Sequence, residues 1–116
     1  MDIYHIWCNL KAGVRDVEFA EDVASYLEHL QQDGHVQGYR ITRCKLGFRP
    51  PQLRDFHITL EFENLTQLQA AFDSVASRAD PVESFHHAVN SKVQDVVFAL
   101  YRDFPDATRV QGQEKF

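Results

Sequence analysis

Residues 2–10 read DIYHIWCNL, a run whose alternation suits a β-strand with apolar side chains on both sides. In a pleated strand Tyr4, Ile6, Cys8 and Leu10 share one face, while Ile3, His5, Trp7 and Asn9 share the other. Neither set makes a wet surface. Such a strand belongs at the centre of a sheet that is covered on both sides. In a chain of 116 residues the helices are too few to supply two covering layers. What covers the side with His5 and Trp7 is therefore the question on which a functional reading turns.

The flanking pattern supplies the other elements. After a KAGVRD turn, Asp16 is placed as an N-cap, with Glu18, Glu21 and Asp22 near the positive end of a helix dipole. Val17, Ala20, Val23, Ala24, Leu27 and Leu30 recur at helical spacing, and Gly34 is a natural stop. Residues 38–46 read as a strand, and GFRPPQLRD as a hairpin loop whose prolines cannot continue a ladder. In FHITLEFE, Phe56, Ile58, Leu60 and Phe62 alternate with His57, Thr59, Glu61 and Glu63, the clearest period of two in the chain. Asn64 or Thr66 caps a second helix striped by Leu65, Leu68, Ala71, Phe72, Val75 and Ala79. Asp80, Pro81 and Glu83 then open a short third helix as N-cap, first helical residue and reciprocal cap. Residues 93–103 form the last strand. The pattern predicts one domain over 1–104 and a polar tail over 105–116 that frays unless something docks it.

The order β-α-β-β-α-α-β, with short connections, predicts an α+β fold: a ferredoxin-like split βαβ sandwich. Its antiparallel sheet has strand order 4-1-3-2 and both main helices on one face. The other face then carries Ile3, His5, Trp7, His57, Thr59, Val97, Ala99 and Tyr101, a patch too apolar to stay exposed. Two such sheets from two subunits can close into an eight-stranded barrel wide enough for one small ligand. A homodimer is predicted on this ground.

Composition narrows the classes. A formal charge of -5 disfavours an extended nucleic-acid footprint. No apolar run approaches the roughly 20 residues that cross a bilayer, and the start lacks the pattern of a signal peptide, so a cytoplasmic location without membrane partners is expected. Cys8 and Cys44 fall in predicted strands without CxxC spacing and read as buried thiols. No Gly-rich phosphate loop or GxSxG is present; Ser25, Ser74, Ser77, Ser84 and Ser91 fall in or beside helices, so neither a cofactor nor a serine nucleophile is expected.

Three groups of residues offer chemistry. His5 and His57 project from neighbouring strands with Glu61 further along, a set for acid-base work or a divalent cation; without HxH or HExxH spacing no metal is expected. Arg40, Arg43, Lys45, Arg49 and Arg54 form either an anion site at the barrel mouth or the protection of an edge strand. Tyr39, Ile41 and Arg43 share a face; if it is the barrel face, Arg43 reaches a ligand's acidic end. On the third helix His86 is in phase with Val82 and Val89 and reads as packed, whereas His87, about 100° away, reads as solvated.

The opening IYHIWCNLKAGV resembles the first strand and turn of the stress-responsive dimeric α/β-barrel family, and DPVESFHHAVNSKVQDVVFALYRDF resembles that family's short helix and closing strand. The resemblance spans roughly residues 3–103 and implies a ferredoxin-like fold with face-to-face dimerisation, in a branch without an assigned activity. The superfamily includes stress proteins, cofactor-free monooxygenases, haem-degrading enzymes and isomerases, so it does not imply one reaction. Trp7, Asn9 and His86 or His87 stand at different places from the Asn, Trp and His of the haem-degrading relatives, and no role is carried over. The leading expectation is a small, mostly apolar ligand, acyl-chain or fatty-acid-like, between the sheets. Its pocket would use Trp7, Asn9, Thr59, Val97, Ala99 and Tyr101, with the polar end near His5, His57 or Arg43. One alternative is a cofactor-free monooxygenase or isomerase acting on an aromatic or polyketide-like compound, with His5 or His57 as base and Tyr101 or Asn9 orienting the substrate. Another is a dry dimer interface.

Overall fold

The computed structural model describes residues 1–113. Along the chain run β1 (Asp2–Leu10), α1 (Asp16–Gln32), β2 (Gly38–Arg43), β3 (Phe56–Phe62), α2 (Leu65–Ala76), α3 (Val82–Asn90) and β4 (Val93–Arg102). The strands form one antiparallel sheet in the order β2-β3-β1-β4, the predicted topology, with β1 in the interior between β3 and β4. The fold is α+β and ferredoxin-like. No described helix is long and apolar enough to cross a membrane.

Each helix is set by local chemistry. The chain is still extended at Arg15, so Asp16 is the first helical residue rather than the cap; its carboxylate accepts the Val17 N–H at 2.7 Å. The buried stripe of α1 is Phe19, Val23, Leu27 and Leu30. Val17, assigned to this stripe from the sequence, is 66% exposed, because it stands about 200° around the helix from Phe19. At the far end Gly34 takes a left-handed φ of 78°, which turns the chain so that the His35 N–H reaches the Leu30 carbonyl. Asn64 caps α2 by accepting the Gln67 N–H at 2.9 Å. Gln67 answers by accepting the Glu63 N–H and donating to the Gly34 carbonyl, which ties the start of α2 to the end of α1. Before α3, the Asp80 carboxylate accepts both the N–H and the hydroxyl of Ser84; the capping partner is Ser84 and not Glu83.

The core lies between helices and sheet, where Cys8, Phe56, Ile58, Leu60 and Phe62 meet Phe19, Val23, Leu27, Leu30, Leu68 and Ala71. At its margin Asp2, only 4% exposed, is neutralised by Arg102 at 2.6 Å. Beyond β4, Asp106 of the tail lies 3.8 Å from the same guanidinium, and the Asp103 N–H donates to the Met1 carbonyl. Residues 114–116 of the predicted tail lie outside the described residues. Replacing Phe19 by Ala should destabilise the fold by about 3–5 kcal/mol in urea unfolding, the usual cost of emptying an aromatic core site; Val17→Ala should change it by less than about 0.5 kcal/mol.

Candidate functional site

Strand pairing places the predicted residues in rows across the free face of the sheet. Arg40, Thr59, His5 and Ala99 make one row, and Thr42, His57, Trp7 and Val97 the next. Tyr101 and Ile3 stand beside them, opposite each other. The rings assemble into a flat array. Trp7 stacks on His57 at 4.5 Å, His5 stacks on both, and Tyr101 meets His5 edge-on at 5.1 Å. Nδ1 of His5 and Nε2 of His57 are 2.9 Å apart, so one imidazole N–H donates to the other ring's lone pair. Burial lowers the pKa of both, and for His57 the facing His5 lowers it further. The pair is thereby favoured in its neutral form.

Two expected members of this face do other work. Arg43 pairs with Phe56, which places it on the helix side. There its guanidinium lies over the Phe56 ring and reaches Asp16 at 2.9 Å and Asp55 at 3.2 Å, so the expectation that it serves a ligand between the sheets is corrected: it clamps the start of α1 to the sheet. Asn9 braces a bulge in the β1–β4 pairing, donating to the Asp95 carboxylate and accepting the Asp55 N–H. The basic loop also turns inward. Arg54 donates to the carbonyls of Asp95, Pro51 and Gln52, and Arg49 to that of Leu53. Among the described residues no group of three or more His, Cys, Asp or Glu side chains is arranged to hold a metal ion, His5, His57 and Glu61 included.

The cavity within the chain lies on the opposite face. A space of about 480 Å³ separates the helices from the sheet, floored by Ile6, Ile58 and Leu60 and walled by Leu30, Val75 and Val89. It exists because the helices do not cover the β4 side of the sheet. Phe98, although it points to the helix side, is 59% exposed, and it stacks on Tyr4 at 5.8 Å. The titratable side chains on the wall are Tyr4, Cys8, Tyr26 and His86. Burial pushes the Cys8 thiol up to about 11, aided by Asp55, so it stays protonated. Burial, then Glu83 and Tyr4, push the Tyr26 phenol up to about 12. The ring of His86 stands edge-on to Tyr26 with centroids 5.8 Å apart. The spacing of His86 with Val82 and Val89 makes it a packed residue and the alternation of β1 turns Tyr4 to the helix side; the cavity between them carries no periodic signal, because an empty space leaves no pattern in the residues around it.

The chain belongs to the family of unknown function DUF6614, whose model matches residues 1–116. No curated protein matches it. Among solved structures it is similar to the At3g17210 protein of Arabidopsis thaliana (TM-score 0.73, 11% identity, 95% of this chain and 100% of that one). It is also similar to a variant of SnoaB, a cofactor-independent oxygenase from Streptomyces nogalater (TM-score 0.65, 6% identity, 93% and 98%). A third is a dimeric ferredoxin-like protein of unknown function from Jannaschia (TM-score 0.63, 9% identity, 89% and 100%). At these identities the likeness establishes the fold alone, and it agrees with the dimeric ferredoxin-like superfamily that the sequence resembles.

The depressed histidines give a pH dependence of definite sign. Below the ordinary imidazole value of about 6.5 the unfolded chain takes up protons that the folded pair resists, so stability falls with acid. His57→Gln should flatten the fall in melting temperature between about pH 7 and pH 5 relative to the parent protein. An unchanged slope would mean that the pair titrates normally.

Proposed function

We propose that the protein is a homodimer closed through its free sheet face, and that each protomer binds one small, mostly apolar molecule in the cavity under its helices. The observation that carries the ligand reading is the cavity itself. Its volume of about 480 Å³ lies in the range of small-molecule sites, and its wall is apolar apart from a few side chains such as Tyr26 and His86. An acyl chain or similar hydrocarbon suits that wall. The ligand is thus assigned to the helix side rather than between the sheets. The dimer reading is supported by the half-exposed array of His5, Trp7 and His57, flanked by Val97 and Ala99, and by dimeric proteins of the same fold. That array is flat and stacked, which suits a dry interface.

A second reading, turnover without a cofactor of an aromatic or polyketide-like compound, is favoured by His86. It is the imidazole on the cavity wall, whereas His5 and His57 lie on the far side of the sheet. In this reading His86 is the base; oxygen consumption with a phenolic substrate would then be lost in His86→Ala and kept in His57→Ala, and the reverse result would return the role to His57.

Two variants separate the two halves of the main proposal. Trp7→Glu buries a charge in the interface and should convert the dimer to monomer in sedimentation velocity. Val89→Trp fills the cavity and should weaken binding of the fluorescent apolar probe 1-aminoanthracene about tenfold or more, leaving the dimer intact. Trp7→Glu dimers, or unchanged probe binding in Val89→Trp, would each overturn the corresponding half.

A further inference from the structure

Where α2 ends and α3 begins, the cavity adjoins a smaller polar depression of about 320 Å³. Arg78, Glu83, His86, His87 and Asn90 line it, and Val75, Ala76, His86 and Asn90 line both spaces. Together they form one site with an apolar floor and a polar rim. Such a rim calls for a ligand with a polar end, and its composition says which kind. Arg78 is the permanent cation on it. The guanidinium groups of Arg43 and Arg102 are held by carboxylates, and those of Arg49 and Arg54 by carbonyls. Among the described residues the guanidinium groups of Arg15, Arg40 and Arg78 have no carboxylate or carbonyl partner, and of these three Arg78 is the one on this rim, where it is exposed. His87 and Asn90 add N–H donors on the same rim.

The backbone of Arg78 is equally telling. It follows the last turn of α2, donates its N–H to the Val75 carbonyl, and has a φ of 54°. This is the left-handed position that helix ends commonly fill with Gly, because a side chain there is disfavoured. An arginine occupies this disfavoured position beside the opening of an apolar cavity.

We infer that the ligand is an amphipathic monocarboxylic acid, its hydrocarbon body under the helices and its carboxylate on Arg78. This rests on the cavity being the ligand site. A guanidinium matches a carboxylate through paired N–H donors, and the chain's other ionised group on this rim, Glu83, works against it. Glu83 also raises the Tyr26 phenol, which places its charge within reach of the cavity wall. Arg78 and Glu83 therefore act on a bound acid with opposite signs, which separates charge recognition from mere hydrophobic binding.

The test is competition of decanoate and decanol against 1-aminoanthracene on the full chain. Decanoate should compete about tenfold better than decanol, the scale of a charge-assisted hydrogen-bonded pair near the surface. Arg78→Gly should abolish that preference and leave decanol unaffected. Glycine adopts the left-handed backbone freely, so this variant should melt at or above the temperature of the parent protein. Glu83→Gln should improve decanoate about two- to threefold with decanol unchanged. Equal competition by acid and alcohol, or a preference that survives in Arg78→Gly, would overturn the headgroup assignment while leaving the cavity as an apolar site. If neither compound displaces the probe, the cavity reading fails and the headgroup goes with it.

Discussion

The structure depends on one constraint: β1 carries large, mostly apolar side chains on both sides, and the helices of one chain cover only one of them. Its helix-facing residues, Tyr4, Ile6 and Cys8, put β1 between β3 and β4, because only an interior strand has neighbours to bury it. The single layer of helices goes to that face. The other face keeps Trp7 and the two imidazoles, which protect one another by stacking and by a hydrogen bond. The shared hydrogen bond satisfies one nitrogen of each ring and leaves the other nitrogen of each to find a partner, while burial biases both rings toward the neutral form. The free face is thus flat, aromatic and half-exposed.

The incomplete helix layer has a second consequence. Three helices of unequal length cannot tile the sheet as far as β4, and the uncovered strip leaves Phe98 and Leu100 half in solvent on the helix side. Close packing would fill such a space with larger side chains, yet Ala71, Ala76 and Val75 stand along its α2 wall. With Phe72 as the one large side chain on that wall, these small residues leave the space open. The two faces of the sheet consequently differ in shape: one is flat and aromatic, and the other is concave, apolar and rimmed by polar groups.

How much of this was legible follows from what pattern can record. The strict alternation of residues 56–62 and the short connections were enough for the sheet order, since period and turn length constrain topology directly. The stripe of α1 was half right. Val23, Leu27 and Leu30 were found, but Val17 was preferred to Phe19, although the steps from Phe19 to Val23 and Leu27 are the regular ones. The face of Arg43 was open in the sequence because β2 mixes polar and apolar residues on both sides; only its pairing with Phe56 decides it. His5, Trp7, His57 and Tyr101 were correctly brought to one face, whereas the cavity under the helices carried no signal. Packing defects and the rim around Arg78 depend on how elements are spaced, and spacing between elements is not written in the period of any one of them.

The central claim, that the ligand belongs to each protomer's helix side and not to the space between sheets, makes a stoichiometric statement. Native mass spectrometry of the dimer titrated with decanoate tests it directly. Two bound molecules per dimer, one for each chain, is the predicted result. Saturation at one molecule per dimer would place the ligand on the symmetry axis between the sheets and contradict the account.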